Sequence, residues 1–165
     1  MSPVDWAIRP LKRYAQFSGR APRAEYWWFF LFLVIAYIIA MIIDGAIGRR
    51  LVGPYGVVAG LLWLAVIIPT IAVGVRRLHD IDRTGWWMLG PIVPYVIGFA
   101  IVGPAMLNPE NPPALAAAGA GMIFMLIGFV FAIVVFVFSV LPGTKGPNRF
   151  GEDPYAQGNL DEVFA

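Results

Sequence analysis

The chain has 165 residues, of which 59% are hydrophobic and 13% charged, with a formal net charge of +2. Soluble domains carry about 25% charged residues, so half that fraction, with a mean hydropathy of +0.74, places the chain in a bilayer. The absence of cysteine excludes disulfides, thiolate chemistry and cysteine-ligated metals. The length suits one small helical bundle, a single membrane domain over residues 1–165.

Residues 1–25 carry Arg9, Lys12, Arg13, Arg20 and Arg23 against Asp5 and Glu25. Val4, Ile8, Leu11 and Ala15 recur at helical spacing, which predicts a short helix lying at the membrane interface. Pro10 must sit in its first turn or break it. The first span is predicted over 26–43, opening on the aromatic run Tyr26-Trp27-Trp28-Phe29-Phe30, an interfacial belt. A signal sequence has a shorter apolar region of about 7–15 residues, so a retained anchor is the better reading.

Asp44–Tyr55 reads as a short loop, followed by a second span over 56–75. Pro69 removes a helical N–H and crowds the carbonyl of Ala65, which predicts a kink. Gly56 and Gly60 match a small-xxx-small pattern, read as helix packing. Residues 76–85 form a central polar loop holding Arg76, Arg77, Asp80, Asp82, Arg83 and the single histidine, His79. A third span is predicted over 86–106, bent or broken near its start by Pro91 and Pro94. Asn108–Ala120 reads as a loop, the fourth span covers 121–141, and Pro142-Gly143 ends it before a polar tail, 142–165.

Of the lysines and arginines, five precede the first span, three lie in the central loop and two in the tail, Lys145 and Arg149. Arg49 and Arg50 are the remaining pair, giving 10 against 2. The positive-inside rule then puts both termini and the central loop in the cytoplasm. Four spans also return the chain to its starting side.

Three polar clusters therefore share one face. They are Phe17-Ser18-Gly19-Arg20 with Arg23, Glu25, Tyr26 and Trp27; Arg76-Arg77-Leu78-His79-Asp80 with Arg83-Thr84-Gly85-Trp86-Trp87; and Gly143 with Gly146-Pro147-Asn148-Arg149-Phe150-Gly151 and Pro154. In these motifs the chain resembles domain of unknown function 805, a family of small bacterial inner-membrane proteins with about four spans. The resemblance covers nearly the whole chain, and implies a bacterial inner-membrane location and no catalytic residues. One departure is Asp82, where the pattern leads one to expect a small or uncharged residue.

The residues themselves give little room for catalysis. His79-Asp80 begins a metal phosphohydrolase pattern, yet no second histidine exists to complete it. A zinc site needs three or four ligands, and a Ser-His-Asp triad would need Ser2, Ser18 or Ser139, none with a nucleophile signature. The four spans as bounded contain no ionisable side chain other than tyrosine, which argues against a proton-coupled pathway. The expectation is a non-enzymatic structural or interaction module without cofactor or metal. Its cytoplasmic collar (Arg20, Arg23, Glu25, Arg76, Arg77, His79, Asp80, Arg83, Trp86, Asn148 and Arg149) forms one network and meets anionic lipid headgroups or a partner protein. The alternative is an oligomeric transport or channel subunit. Nucleic-acid binding is not expected, because acids match the basic residues and no recognition helix stands clear of the membrane.

Overall fold

The structure, a computed structural model, describes residues 1–47, 56–107, 110 and 112–155. Its helices are α1 (Pro3–Lys12), α2 (Arg23–Ile47), α3 (Val57–Asp80), α4 (Leu89–Leu107) and α5 (Pro112–Val140), with a 3₁₀ turn at Gly85–Met88 before α4. Among the described residues four stretches are long and apolar enough to cross a membrane: Arg23–Ile47, Val57–Asp80, Gly85–Leu107 and Ala116–Val140. The chain forms two compact units, Met1–Arg83 with Pro142–Ala165, and Thr84–Leu141. The Arg49 and Arg50 loop and the tail beyond Tyr155 lie outside the described residues.

In the first unit, α1 starts on a capping box. The Ser2 hydroxyl accepts from the Asp5 N–H, and the Asp5 carboxylate accepts from the Ser2 N–H, satisfying two otherwise orphaned donors. Pro10 neither sits in the first turn nor breaks the helix: it lies buried in the last turn. There only one helical hydrogen bond is lost, and Arg13 still closes onto the Arg9 carbonyl.

Helices α2 and α3 run antiparallel and are tied at both ends. The buried positions of α2, Glu25, Phe29, Leu33, Ala40 and Asp44, step by four or seven and so form one stripe. Phe29 and Leu33 pack with Val66 and Val73 of α3 and with Ala21. At one end of the stripe Glu25 meets Arg76. At the other, Asp44 accepts from the N–H groups of Val58 and Ala59, capping α3 from the last turns of its neighbour. Gly56, at φ +71°, makes room, since a Cβ there would collide with the Asp44 carboxylate. Gly60 faces open space, so the Gly56/Gly60 pair is a capping turn rather than a packing motif.

Pro69 is buried within α3. Its missing N–H leaves the Ala65 carbonyl without a helical donor, and the Tyr14 hydroxyl donates to that carbonyl at 2.7 Å. The segment after α1 thus completes the hydrogen bonding of a spanning helix, which lipid cannot do.

Both α2 and α3 exceed the predicted spans. Asp44 belongs to α2, and α3 continues through Arg76-Arg77-Leu78-His79-Asp80. The polar character of that run suggested a loop, yet nothing in it stops a helix, and basic residues are favoured at a helix C-terminus.

In the second unit, α4 runs unbroken through Pro94 and Pro104, contrary to the expected break. The 3₁₀ turn precedes it, and Pro91 falls in its first turn, where no helical N–H bond is required. Helix α5 begins at Pro112 rather than Gly121. Two prolines at the start followed by alanines make a good helix opening, though the same residues resemble a loop by composition. The α4–α5 interface depends on glycine: a Cβ at Gly98 would lie 2.9 Å from the Gly121 carbonyl oxygen and 2.7 Å from Met125 Cγ. Gly103 meets nothing within 4 Å. Gly98→Ala is therefore expected to destabilise the protein by about 1–3 kcal/mol through overpacking, whereas Gly103→Ala leaves it unchanged or slightly stabilised. Thermal unfolding in detergent compares the two, and equal effects would contradict the close approach.

Candidate functional site

The most concentrated polar chemistry lies where α3 ends. Ile81 caps the helix and Asp82 adopts φ +57°. The Arg83 N–H then reaches the Leu78 carbonyl at 2.9 Å and the Asp82 N–H reaches His79 at 3.1 Å. This is a Schellman closure, whose left-handed position favours Gly or Asn. That explains the expectation of a small or uncharged residue at 82. Here an acid fills it and pairs with Arg149 Nε at 3.0 Å.

The carbonyls left over by the helix end are met by the tail and the N-terminal segment. The Thr144 N–H and hydroxyl both donate to the Asp80 carbonyl, at 2.8 and 3.1 Å. Asn148 Nδ2 donates to the His79 carbonyl at 2.9 Å, and the Ala21 N–H donates to that of Arg76 at 2.9 Å. Three distant pieces of sequence therefore converge on one helix terminus.

Inside this wrapping the Asp80 carboxylate lies between two arginines. Arg20 Nε donates at 3.0 Å to one oxygen, and Arg77 donates to the other. Side-chain exposures of 1–2% for all three remove the solvent screening that makes surface pairs weak. Arg20 also donates to the carbonyls of Gly146 and Thr144, at 2.6 and 2.5 Å. Gly143 faces Asp80 so closely that a Cβ would overlap the carboxylate. A second pair lies nearby: Arg76 donates to Glu25 at 2.5 Å, both fully buried, while Arg9 stands 3.5 Å from the other Glu25 oxygen. Arg76 Nε and Nη2 have no hydrogen-bond partner among the described residues.

His79 is tied to both flanking segments. Its Nδ1 lies 3.1 Å from the Gly19 carbonyl, which can only accept, so this nitrogen carries the proton. Its ring stacks on Phe150 at 3.9 Å and 3°. Gly19 holds φ +86°, a conformation costly for other residues. Asp153 accepts from the N–H groups of Gly146 and Tyr155, and these backbone donors hold its carboxyl below the ordinary carboxylate range. Among the described residues no His, Asp and Glu cluster is arranged to hold a metal ion.

Of the residues singled out in the sequence, Arg20, Glu25, Arg76, Arg77, His79, Asp80 and Asn148 share this one end of the first unit. Asp80 is paired with an arginine of another cluster, and that arginine is Arg20. Arg149 joins through Asp82, at 58% exposure. Arg23 and the Arg83 side chain are exposed. Trp86 belongs to the second unit and is 77% exposed; its neighbour Trp87 packs edge-on against Phe138. Sequence reasoning missed Arg9, Thr144 and Asp153, and placed the ionic residues in a loop rather than in helical turns. Thr144 carried a weak signal, since a hydroxyl just after a helix-ending Pro-Gly is well placed to bond free carbonyls.

Removing one partner of a buried pair strands a charge and costs about 3–5 kcal/mol, against about 0–1 kcal/mol for an exposed pair. Asp80→Asn, which strands both Arg20 and Arg77, is expected to lower stability by the larger amount and Arg149→Gln by the smaller. Thermal unfolding in detergent reads the difference; similar small losses in both variants would mean that the Asp80 cluster is solvated.

Comparison with known proteins places the sequence in a family. The chain matches the family described as protein of unknown function DUF805 over residues 14–152. Inner membrane protein YhaH of Escherichia coli strain K12 is 32% identical over 151 residues, covering 92% of this chain and 97% of its own length. Inner membrane protein YhaI of the same strain is 34% identical, covering 92% of this chain and 96% of its own. No solved structure matches. With the match running from Tyr14 to Glu152, and so including all of the three polar motifs but Pro154, the chain belongs to the DUF805 family.

Proposed function

We propose that the protein is a non-enzymatic structural and interaction module of the bacterial inner membrane, with four spans and both termini in the cytoplasm. In this reading α1 lies at the interface and the ionic end of the first unit meets anionic lipid headgroups. The location is supported by the printed names of the relatives YhaH and YhaI, which are inner membrane proteins. The orientation is supported by the 10-to-2 split of lysine and arginine under the positive-inside rule.

One observation carries the functional part. The Arg20–Asp80–Arg77 cluster, His79 and Asn148 are committed to each other and to backbone carbonyls, which is how a scaffold uses polar groups. Arg23, Arg83 and Lys145 remain on the surface around them, where each cation near an anionic leaflet gains about 1 kcal/mol. An oligomeric transport or channel subunit has less support, because α4 offers no break at Pro94 to build a polar pore.

Two measurements test the reading. Extraction into native nanodiscs is expected to enrich anionic phospholipid around the protein relative to the bulk membrane. Lipid of bulk composition, together with solute flux in liposomes, would favour the transport alternative. Alkaline phosphatase fused after Glu110 is expected to be active and after Asp82 inactive; the opposite pattern would reverse the orientation.

A further inference from the structure

The segment after α1 reaches further along α3 than the ionic end to which both of its flanks are tied. On one side Arg9 of α1 stands 3.5 Å from Glu25, which pairs with Arg76. On the other, the Ala21 N–H donates to the Arg76 carbonyl. Between these anchors the Tyr14 hydroxyl donates to the Ala65 carbonyl at 2.7 Å. Ala65 lies nearer the Val57 end of α3 than the Asp80 end, and eleven positions before Arg76, about 16 Å along the helix axis. A phenol and one hydrogen bond cover only part of that distance, so the Tyr14 backbone itself lies several ångströms inward of Arg76. Leu11 agrees, since it packs against the apolar cluster of Ala21, Phe29, Leu33, Val66 and Val73.

What is carried to this depth is unsuited to hydrocarbon. The helix α1 ends at Lys12, and residues 13–17 are not helical. Lys12, Tyr14, Ala15, Gln16 and Phe17 are exposed. An irregular backbone facing lipid tails finds no partners for its N–H and C=O groups and does not occur within the hydrocarbon layer. A lysine there is also costly, and is relieved by snorkelling, water defects and local thinning of the bilayer. Water and headgroups can cover this surface where acyl chains cannot. The adjoining Lys12-Arg13 pair favours phosphate-bearing headgroups as that cover over an apolar protein surface.

We propose that residues 11–17 form a wedge set into the leaflet at the ionic end, over which the headgroup layer and its water descend. The bilayer is thinned beside Tyr14 on α3 and keeps its ordinary depth along the outer face of α2. Pro69 is what holds the wedge down: its ring leaves the Ala65 carbonyl without a helical donor, and Tyr14 supplies one. The wedge rests on the reading that α1 lies at the membrane interface, and it adds a depth and a local deformation of the leaflet to it.

The chain has no cysteine, so single spin labels can be placed on the intact protein. Labels at Gln16→Cys, Ile68→Cys and Val34→Cys are read in vesicles of phosphatidylethanolamine and phosphatidylglycerol, by collision with a water-soluble nickel chelate and with oxygen. Ile68 is exposed and neighbours Ala65 on the surface of α3. Val34 is exposed on α2 at nearly the same depth, off the buried stripe of that helix. The Gln16 label is expected to meet the nickel chelate, and the Ile68 label to meet it several-fold more often than the Val34 label. A wet Gln16 label with equal, low nickel contact at Ile68 and Val34 would mean a leaflet of ordinary depth, overturning the wedge and leaving α1 at the interface. A Gln16 label reached by oxygen alone would place the turn in hydrocarbon, and one reached by neither would place it under a second copy of the chain; either result overturns the wedge. High nickel contact at all three labels would show no bilayer around this end and overturn both readings.

Discussion

The first unit depends on how the C-terminus of α3 is finished. A helix ends with carbonyls that lack donors, and burying that end requires donors from elsewhere in the chain. The backbone of Asp80 draws in Thr144, and that of His79 draws in Asn148. The carboxylate of the same Asp80 draws in Arg20, while the Arg76 carbonyl binds the Ala21 backbone. One helix turn thereby fixes both the segment before the first span and the segment after the last. Gly143 is the steric counterpart, since the tail passes too close to Asp80 for any side chain.

The opposite end of the α2–α3 pair uses the same chemistry with the sign reversed. There Asp44 accepts the orphaned N–H groups at the start of α3, where the helix dipole is positive. Glu25 and Asp44 are nineteen positions apart on α2, which at about 1.5 Å per residue gives roughly 28 Å. The hydrocarbon core of a bilayer is about 30 Å thick. The apolar seam is therefore framed by an acid at each end, both where polar partners are reachable. Within it, the defect at Pro69 is answered by Tyr14, so this backbone carbonyl too finds its donor inside the first unit.

The spans were legible because eighteen or more apolar residues in a row have few other uses in a chain with so little charge. The three polar motifs were legible as a group because they are separated by whole spans. Their internal wiring was not. Hydropathy ends a span at the first charge, so it placed Asp44 and Arg76–Asp80 outside helices that in fact contain them. Composition read the alanine-rich run after Pro112 as a loop, although alanine there extends α5. A glycine pattern is equally ambiguous from sequence. Gly56 and Gly60 have the familiar spacing yet serve a cap and open space, whereas Gly98 and Gly121, far apart in sequence, carry the close helix contact. Which carbonyl Tyr14 would reach depends on a fold that no local pattern encodes.

The positive-inside count treats every basic residue alike, and the structure divides them into two kinds. Arg20, Arg76 and Arg77 are buried and paired with Asp80 and Glu25, so each acts first on an acid within hydrogen-bond reach. Lys12, Arg23, Arg83 and Lys145 are exposed and act on whatever lies beyond the surface, falling off over a Debye length of about 8 Å at physiological salt. The two kinds have different consequences when lost. A buried arginine leaves an acid stranded in low dielectric and weakens the fold, whereas the interactions of an exposed one are screened by solvent and contribute less to it. The burial of the first set, by locking the tail against α3, is what positions Lys145 of the second set beside Arg23. Folding and surface electrostatics are in this way coupled through Asp80, which lies inside the first set and borders a cavity shared with the second.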